Sequence, residues 1–347
     1  MSTARCEVCG QTDRISRCSG CRAVYYCGRD HQATDRPSHK KGCDAVRHAR
    51  GVFEREARAV RDSAAEDDDN AFDTRPYISA QFLFADALLR NFGAVEPRME
   101  AVGAALNHLV DLLAAARADP FYLRNVIPAL YATLGMDQHA YDFMKWWAGK
   151  SAEELLEVDW NDPSVPYLDV RDADVLEPLP DAWVKAPSWK LELSHPVIVM
   201  LLKMRVLLDL VDMQNARRFL RGRLPPEIVD MIQSELASGI VASRRELIRG
   251  SVEKTSEHIM ALKGQIEQLW KDTNESSPIL WKKMFMGFKD PAFAIAKRPM
   301  GFTDEPHDEA RYVVGNTLPA WLVDQERVSV MEKILETIDR KFSTVAG

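Results

Sequence analysis

Apolar positions recur at spacings of three and four residues along much of the chain, a period that predicts a mainly helical protein. Ile78, Phe82, Ala85, Leu88 and Leu89 mark one stripe, and Val102, Leu106, Leu109, Val110 and Leu113 a second. Val126, Ile127, Leu130 and Leu134 make a third, and Ala140, Phe143, Met144 and Trp147 a fourth. Pro76, Pro97 and Pro120 stand near the starts of these stripes and Gly93 and Gly135 at ends, as helix punctuation requires. Residues 76–150 therefore read as four antiparallel helices with short turns. Farther on, Val197–Leu220 is apolar on most faces and belongs at the centre of a core. Ile240–Trp270 reads as one long polar helix carrying Leu247, Ile248, Val252, Ile259, Leu262, Ile266 and Leu269, weakened by Gly250 and Gly264. Pro278–Phe293 and Ala320–Phe342 add helices separated by a loop rich in charge, Gly and Pro.

Where the period lapses, boundaries follow. Asp44–Ser63 has helical spacing at Val46, Ala49, Phe53, Ala57 and Val60, and the acidic run Glu66-Asp67-Asp68-Asp69-Asn70 after it reads as a solvated linker. Residues 158–196 concentrate proline with Trp160, Trp183 and Trp189, which predicts an extended strap anchored by its rings. The expected organisation is a small module at 1–45, a connecting helix and linker at 46–75, helices at 76–150, a Pro/Trp-rich segment at 151–196 and a helical region at 197–347. The pattern over 76–150 resembles a tetratricopeptide-like array, although two copies of a 34-residue motif do not align, so an ordinary helical bundle stands beside it. Leu224–Ile232 resembles the opening of an F-box, but nothing beyond Ser234 continues it, and it reads as a helix with proline in its first turn.

The first 45 residues follow a different logic. They read Cys6-x2-Cys9-x8-Cys18-x2-Cys21-x5-Cys27-x3-His31-x7-His39-x3-Cys43, and every cysteine of the chain lies within them. Eight such donors in paired spacing are the number that two closed tetrahedral zinc sites need. Three disulfides are the competing reading, but Met1–Arg5 is polar, no apolar leader precedes Cys6, and two histidines stand at ligand spacing beside the thiols. Spacing alone permits two sequential sites or two interleaved ones. The module needs the metal because some forty residues cannot bury enough apolar surface to fold alone. The run Val24-Tyr25-Tyr26 predicts a short strand, and Asp30–His39 a helical turn with His31 near its start.

The ligand order, the Tyr25-Tyr26-Cys27 run, His31-Gln32 and His39-x3-Cys43 resemble a MYND zinc finger. That resemblance implies two interleaved zinc ions, one on Cys6, Cys9, Cys27 and His31, the other on Cys18, Cys21, His39 and Cys43. It also implies a shallow groove for a proline-containing peptide near Gln32, with Tyr25 a candidate contact. Two positions depart from the commoner pattern: His31 stands where cysteine is usual, which changes the site's charge, and Arg36 stands where many members carry the tryptophan of the groove wall.

Composition narrows the functional classes. The chain has 347 residues, 46% of them hydrophobic, and no run approaches the ~18 apolar residues of a membrane span. Thiols committed to metal fit a reducing compartment, so an intracellular protein of cytoplasm or nucleus is expected. Residues 1–50 carry a formal +5 inside a chain of −7. Two zinc sites of three thiolates and one imidazole, each near −1, reduce that to about +3. The arginines are scattered rather than concentrated on one element, which disfavours nucleic-acid binding and leaves a nucleic-acid-contacting transcriptional regulator as the alternative reading. Gly-x-Gly, the phosphate loop, His-Glu-x-x-His and Gly-x-Ser-x-Gly are all absent, and no cysteine after Cys43 can act as nucleophile. Some MYND proteins are lysine methyltransferases, but the split catalytic domain before the finger and the later cysteine cluster have no counterpart here. The expected function is recognition: the finger reads a short peptide while the helical body binds a second protein.

Overall fold

The computed structural model describes residues 4–65, 73–160, 162, 164–184, 193–219, 236–303 and 305–343, and the chain divides into two compact units, Met1–Leu123 and Arg124–Gly347. The acidic run at 66–70 and the F-box-like stretch at 224–232 lie outside the described residues.

In the first unit two short strands, β1 (Ser16–Arg17) and β2 (Tyr25–Tyr26), pair antiparallel, and Cys6 bridges to Tyr25 on the other side of β2. Helix α1 (Arg29–Ala65) follows directly. The helical turn expected over Asp30–His39 and the helix expected over Asp44–Ser63 are thus one element, continuous through Pro37. Proline removes one hydrogen bond from a helix interior; here candidate metal ligands stand on both sides of it, His31 before and His39 and Cys43 after.

Helix α1 packs on α2 (Arg75–Phe92), which packs on α3 (Met99–Ala115). Phe53 of α1 stacks on Tyr77 and Phe84 of α2 and meets His108 of α3 edge-on. Below them the predicted stripes close the core, with Ala85, Leu88 and Leu89 buried on α2 and Val102, Leu106, Leu109 and Leu113 on α3. Finger and hairpin therefore form one unit, and the four helices expected as one block over 76–150 are shared between two units.

The second unit holds α4 (Ile127–Thr133), α5 (Asp137–Ala148), α6 (Ala152–Glu157), α7 (Asp181–Val184) and α8 (Ser194–Phe219). Then come α9 (Gly239–Ser243), α10 (Arg245–Arg249), α11 (Val252–Ser276), α12 (Leu280–Lys289), α13 (Pro291–Ala296), α14 (Pro306–Leu322) and α15 (Gln325–Ser343). Helix α8 is buried on nearly every face, as its sequence requires, and packs against α4, α5, α11 and α14. In a stacked repeat array each unit touches only its sequence neighbours. Here α14 returns to α4 and α8, so this unit is a closed helical bundle.

Buried charges on α8 tie distant segments together. Arg205 reaches Asp137 at 2.6 Å and the carbonyls of Ala132 and Ala320, and Asp209 accepts from the backbone N–H groups of Ala237 and Ser238 and pairs with Arg327. Lys203 donates to the carbonyl of Val175 and to Gln265, and burial lowers its pKa to about 8. The Lys203 contact to Val175 holds the Pro/Trp-rich segment, whose Trp160 and Tyr167 pack with Trp146 and whose Trp183 meets Tyr141. The single helix expected over Ile240–Trp270 is instead α9, α10 and α11. A Cβ at Gly250 would lie 2.9 Å from the carbonyl of Glu246, and Ser251 caps α11 by accepting from Lys254 N–H, so the break has both a permissive residue and a new start.

Candidate metal centres and the surface around them

Two turns, one strand and one helix deliver the eight donors. The Cys6–Cys9 turn closes through Gly10 N–H to the carbonyl of Cys6 at 2.9 Å, and the Cys18–Cys21 turn through Arg22 N–H to the carbonyl of Cys18 at 2.9 Å. Each turn ends in a left-handed residue, Gly10 at φ +71° and Arg22 at φ +59°. Cys27 follows β2, and α1 presents His31 in its first turn and then His39 and Cys43 one turn apart.

The donor atoms gather as Cys6, Cys9, Cys27 and His31 in one cluster and Cys18, Cys21, His39 and Cys43 in the other, within 4.8 Å of one another in each. Of the two arrangements the spacing permits, the interleaved one is present. Zinc–sulfur bonds of about 2.3 Å and zinc–nitrogen bonds of about 2.0–2.1 Å place tetrahedral donors about 3.8 Å apart for two sulfurs and about 3.6 Å for sulfur and nitrogen. Cys9 and Cys27 Sγ lie 3.7 Å apart, Cys18 and Cys43 Sγ 3.7 Å, Cys21 Sγ and His39 Nε2 3.7 Å, and Cys6 Sγ and His31 Nδ1 3.5 Å, while Cys27 Sγ and His31 Nδ1 are closer, at 2.9 Å. The donor sets therefore fit two zinc ions held by residues of this chain.

The thiols differ within each cluster. Burial would raise Cys6, but hydrogen bonds from the backbone of Cys27, Cys9 and Val8 outweigh it and bring its pKa to about 6. Desolvation and the neighbouring thiols of Cys9 and Cys6 push Cys27 up to about 11, and burial pushes Cys21 up to about 12. Burial also holds His39 below the usual imidazole range. Its ring stacks on Phe92 of α2 at 5.6 Å and meets Tyr26 edge-on at 6.0 Å, so the second cluster is built into the junction of finger and hairpin. Gly20 is part of that fit, because a Cβ there would stand 2.6 Å from Cys43 Sγ.

The candidate partner-binding residues take different places. Tyr26 is buried and donates its hydroxyl to Asp35 of α1, whereas Tyr25 is half-buried and lies under the Arg17 guanidinium, 5.3 Å from the ring centroid. Gln32 is half-buried, with its Nε2 3.8 Å from Cys18 Sγ, and Arg36, one helical turn beyond it, is exposed. Strand β2 is bonded on both sides, to β1 and through Glu7 N–H to the carbonyl of Tyr25, so among the described residues the open strand edge is that of β1. Sequence reasoning missed Gly20, Phe92 and the Arg98–Glu7 ion pair between α3 and the first turn. A glycine inside a Cys-x2-Cys turn was a usable signal for Gly20, while the other two follow from the path of α1.

A family model for the MYND finger matches residues 6–43, and the chain carries that finger. MYND fingers are in general protein-interaction modules. The human protein "Egl nine homolog 1" is 41% identical over 46 residues, 13% of this chain and 11% of that protein. The "Rho GTPase-activating protein gacZ" of Dictyostelium discoideum is 36% identical over 50 residues, 14% of this chain and 5% of that protein. The chain thus spans about a tenth or less of the length of the curated relatives it matches. No solved structure matches it. Among the described residues no helix is long and apolar enough to cross a membrane.

Proposed function

We propose that this chain is an intracellular adaptor without catalytic chemistry of its own: the zinc finger reads a short peptide, and the second unit binds another protein. The observation that carries the reading is the position of Gln32. Its carboxamide sits half-buried on the rim of the buried zinc cluster, against Cys18, the residue that follows the open β1 edge. An extended peptide laid along that edge has backbone groups to pair and a polar side chain to meet. The zinc ions hold β1, the Cys18–Cys21 turn and α1 in register and do no further chemistry in this role.

For the second unit the support is α13, whose sequence Pro-Ala-Phe-Ala-Ile-Ala contains no buried residue. Phe293 is 54% exposed, with Met286 at 60% and Met300 at 56% nearby in sequence, more apolar surface than a solvated helix calls for. The buried ionisable groups Lys203, Asp137 and Asp209 are engaged in tying elements together, consistent with recognition rather than reaction.

The test is a comparative capture with the full, zinc-loaded chain. Gln32→Ala is expected to lose one set of partners and Phe293→Asp a different set, each variant keeping what the other loses. If both variants retain every partner, or both lose the same ones, the two-surface adaptor is wrong.

A further inference from the structure

Resting on the peptide-reading role proposed above, we infer that the finger selects an acidic, proline-containing segment. Exposed guanidinium groups stand around Gln32. Arg36 lies one helical turn beyond it, and Arg17 and Arg22 flank the Cys18–Cys21 turn. Arg50, which reaches back from α1 to the carbonyl of Ser19 at 3.5 Å, is largely buried and pairs with Glu54, so it is not part of the exposed rim. None of Arg17, Arg22 and Arg36 has a carboxylate partner among the described residues. The finger's own acids do not neutralise this rim. Asp35 is turned inward to the hydroxyls of Tyr26 and Ser38, and Glu7 pairs with Arg98. Asp13 and Asp30 remain exposed, one in the loop before β1 and one in the first turn of α1.

The apolar platform carries the same sign. Arg17 donates to the Tyr25 hydroxyl and covers its ring, so a side chain stacking there meets a cation as well as an aromatic face. Two zinc centres of about −1 each account for part of the positive charge. Arg14, Arg29, Lys40 and Lys41 are exposed on the same small module, so a surplus persists. A neutral apolar peptide leaves these groups as they are, whereas carboxylates flanking the proline pair with them and gain both association rate and selectivity.

The experiment presents the full, zinc-loaded chain with a peptide library of fixed central proline and randomised flanks, at two salt concentrations. Enrichment of Asp and Glu in the flanks is expected, with binding of the selected peptides falling as salt rises. Arg36→Glu should weaken them about tenfold, and Arg36→Trp should shift the enrichment toward apolar flanks, both variants retaining two zinc ions by elemental analysis. Proline peptides enriched without acidic bias overturn the inference and leave the peptide-reading role standing. No enrichment above a Cys18→Ser control overturns both. Tighter binding of a random-sequence oligonucleotide than of any peptide, lost in Arg36→Glu, assigns the basic rim to nucleic acid and also overturns it.

Discussion

The two metal clusters use the same ligand set, three cysteines and one histidine, in opposite surroundings. In the first, Cys9 is exposed, Cys27 and His31 are half-buried, and only Cys6 is shielded; in the second, all four ligands are buried. The first closes a turn and β2 against the start of α1. The second lies where α1 meets Phe92 of α2, so its metal stands in the core of the unit. The coordination chemistry sets what each site binds, and the packing around it sets how much of the fold depends on it. Helix α1 carries ligands at one end and contacts with α2 at the other, which ties the finger to the rest of its unit.

The largest expected effect separates the clusters. His39→Ala or Cys43→Ser removes a structural zinc from a core, a loss on the order of 10 kcal/mol. Hydrogen exchange in α2 and α3 should lose its protection, while Cys9→Ser leaves that protection in place. Equal loss of protection in both variants would break the comparison.

Chelation should sharpen it. Zinc is expected to leave in two steps of one ion each, the second slower by roughly tenfold or more because it requires opening of the unit rather than of a surface turn. A single phase releasing both ions together would show the clusters to be equivalent.

The pH response comes next. Cys27 and Cys21, pushed up to about 11 and about 12, carry their protons at neutral pH without metal, whereas Cys6 near 6 is already a thiolate. Loading therefore expels at least one proton from each cluster, and affinity rises with pH and falls on acidification. Calorimetry of zinc binding at pH 7 in buffers of different ionisation enthalpy should count two protons or more; a count near zero would contradict these thiol environments.

The smallest effect contrasts two glycines. Gly20→Ala forces a Cβ against Cys43 Sγ and should cost about 1–3 kcal/mol with weakened zinc retention at the buried cluster. Gly10→Ala meets nothing within 4 Å and bears only its left-handed backbone, about 1 kcal/mol by thermal melting.

Much of this was legible in the residues. The stripes over 78–147 correspond to α2, α3, α4 and α5 within a few residues, because each helix buries one face and its period records which. The ligand list was legible because only a thiolate or imidazole at turn spacing serves. The long helix expected over 240–270 failed at Gly250-Ser251, where a weak interior residue and a good cap reinforce each other, a pair that an apolar stripe does not report. Arg36 and Gln32 were identifiable by position, but that Gln32 meets Cys18 while Tyr25 is covered by Arg17 depends on how hairpin and helix dock.

The sequence by itself determined the helical class, the eight metal donors and their number of sites, since these follow from local spacing and elementary ligand chemistry. The interleaving was implied by the family resemblance and left open by spacing; only the tertiary structure decided that one cluster is buried and the other partly exposed, that α1 unites finger and hairpin, and that the second unit closes on itself through α14. Those outcomes rest on which distant surfaces bury each other, a sum over many weak contacts that local spacing does not encode.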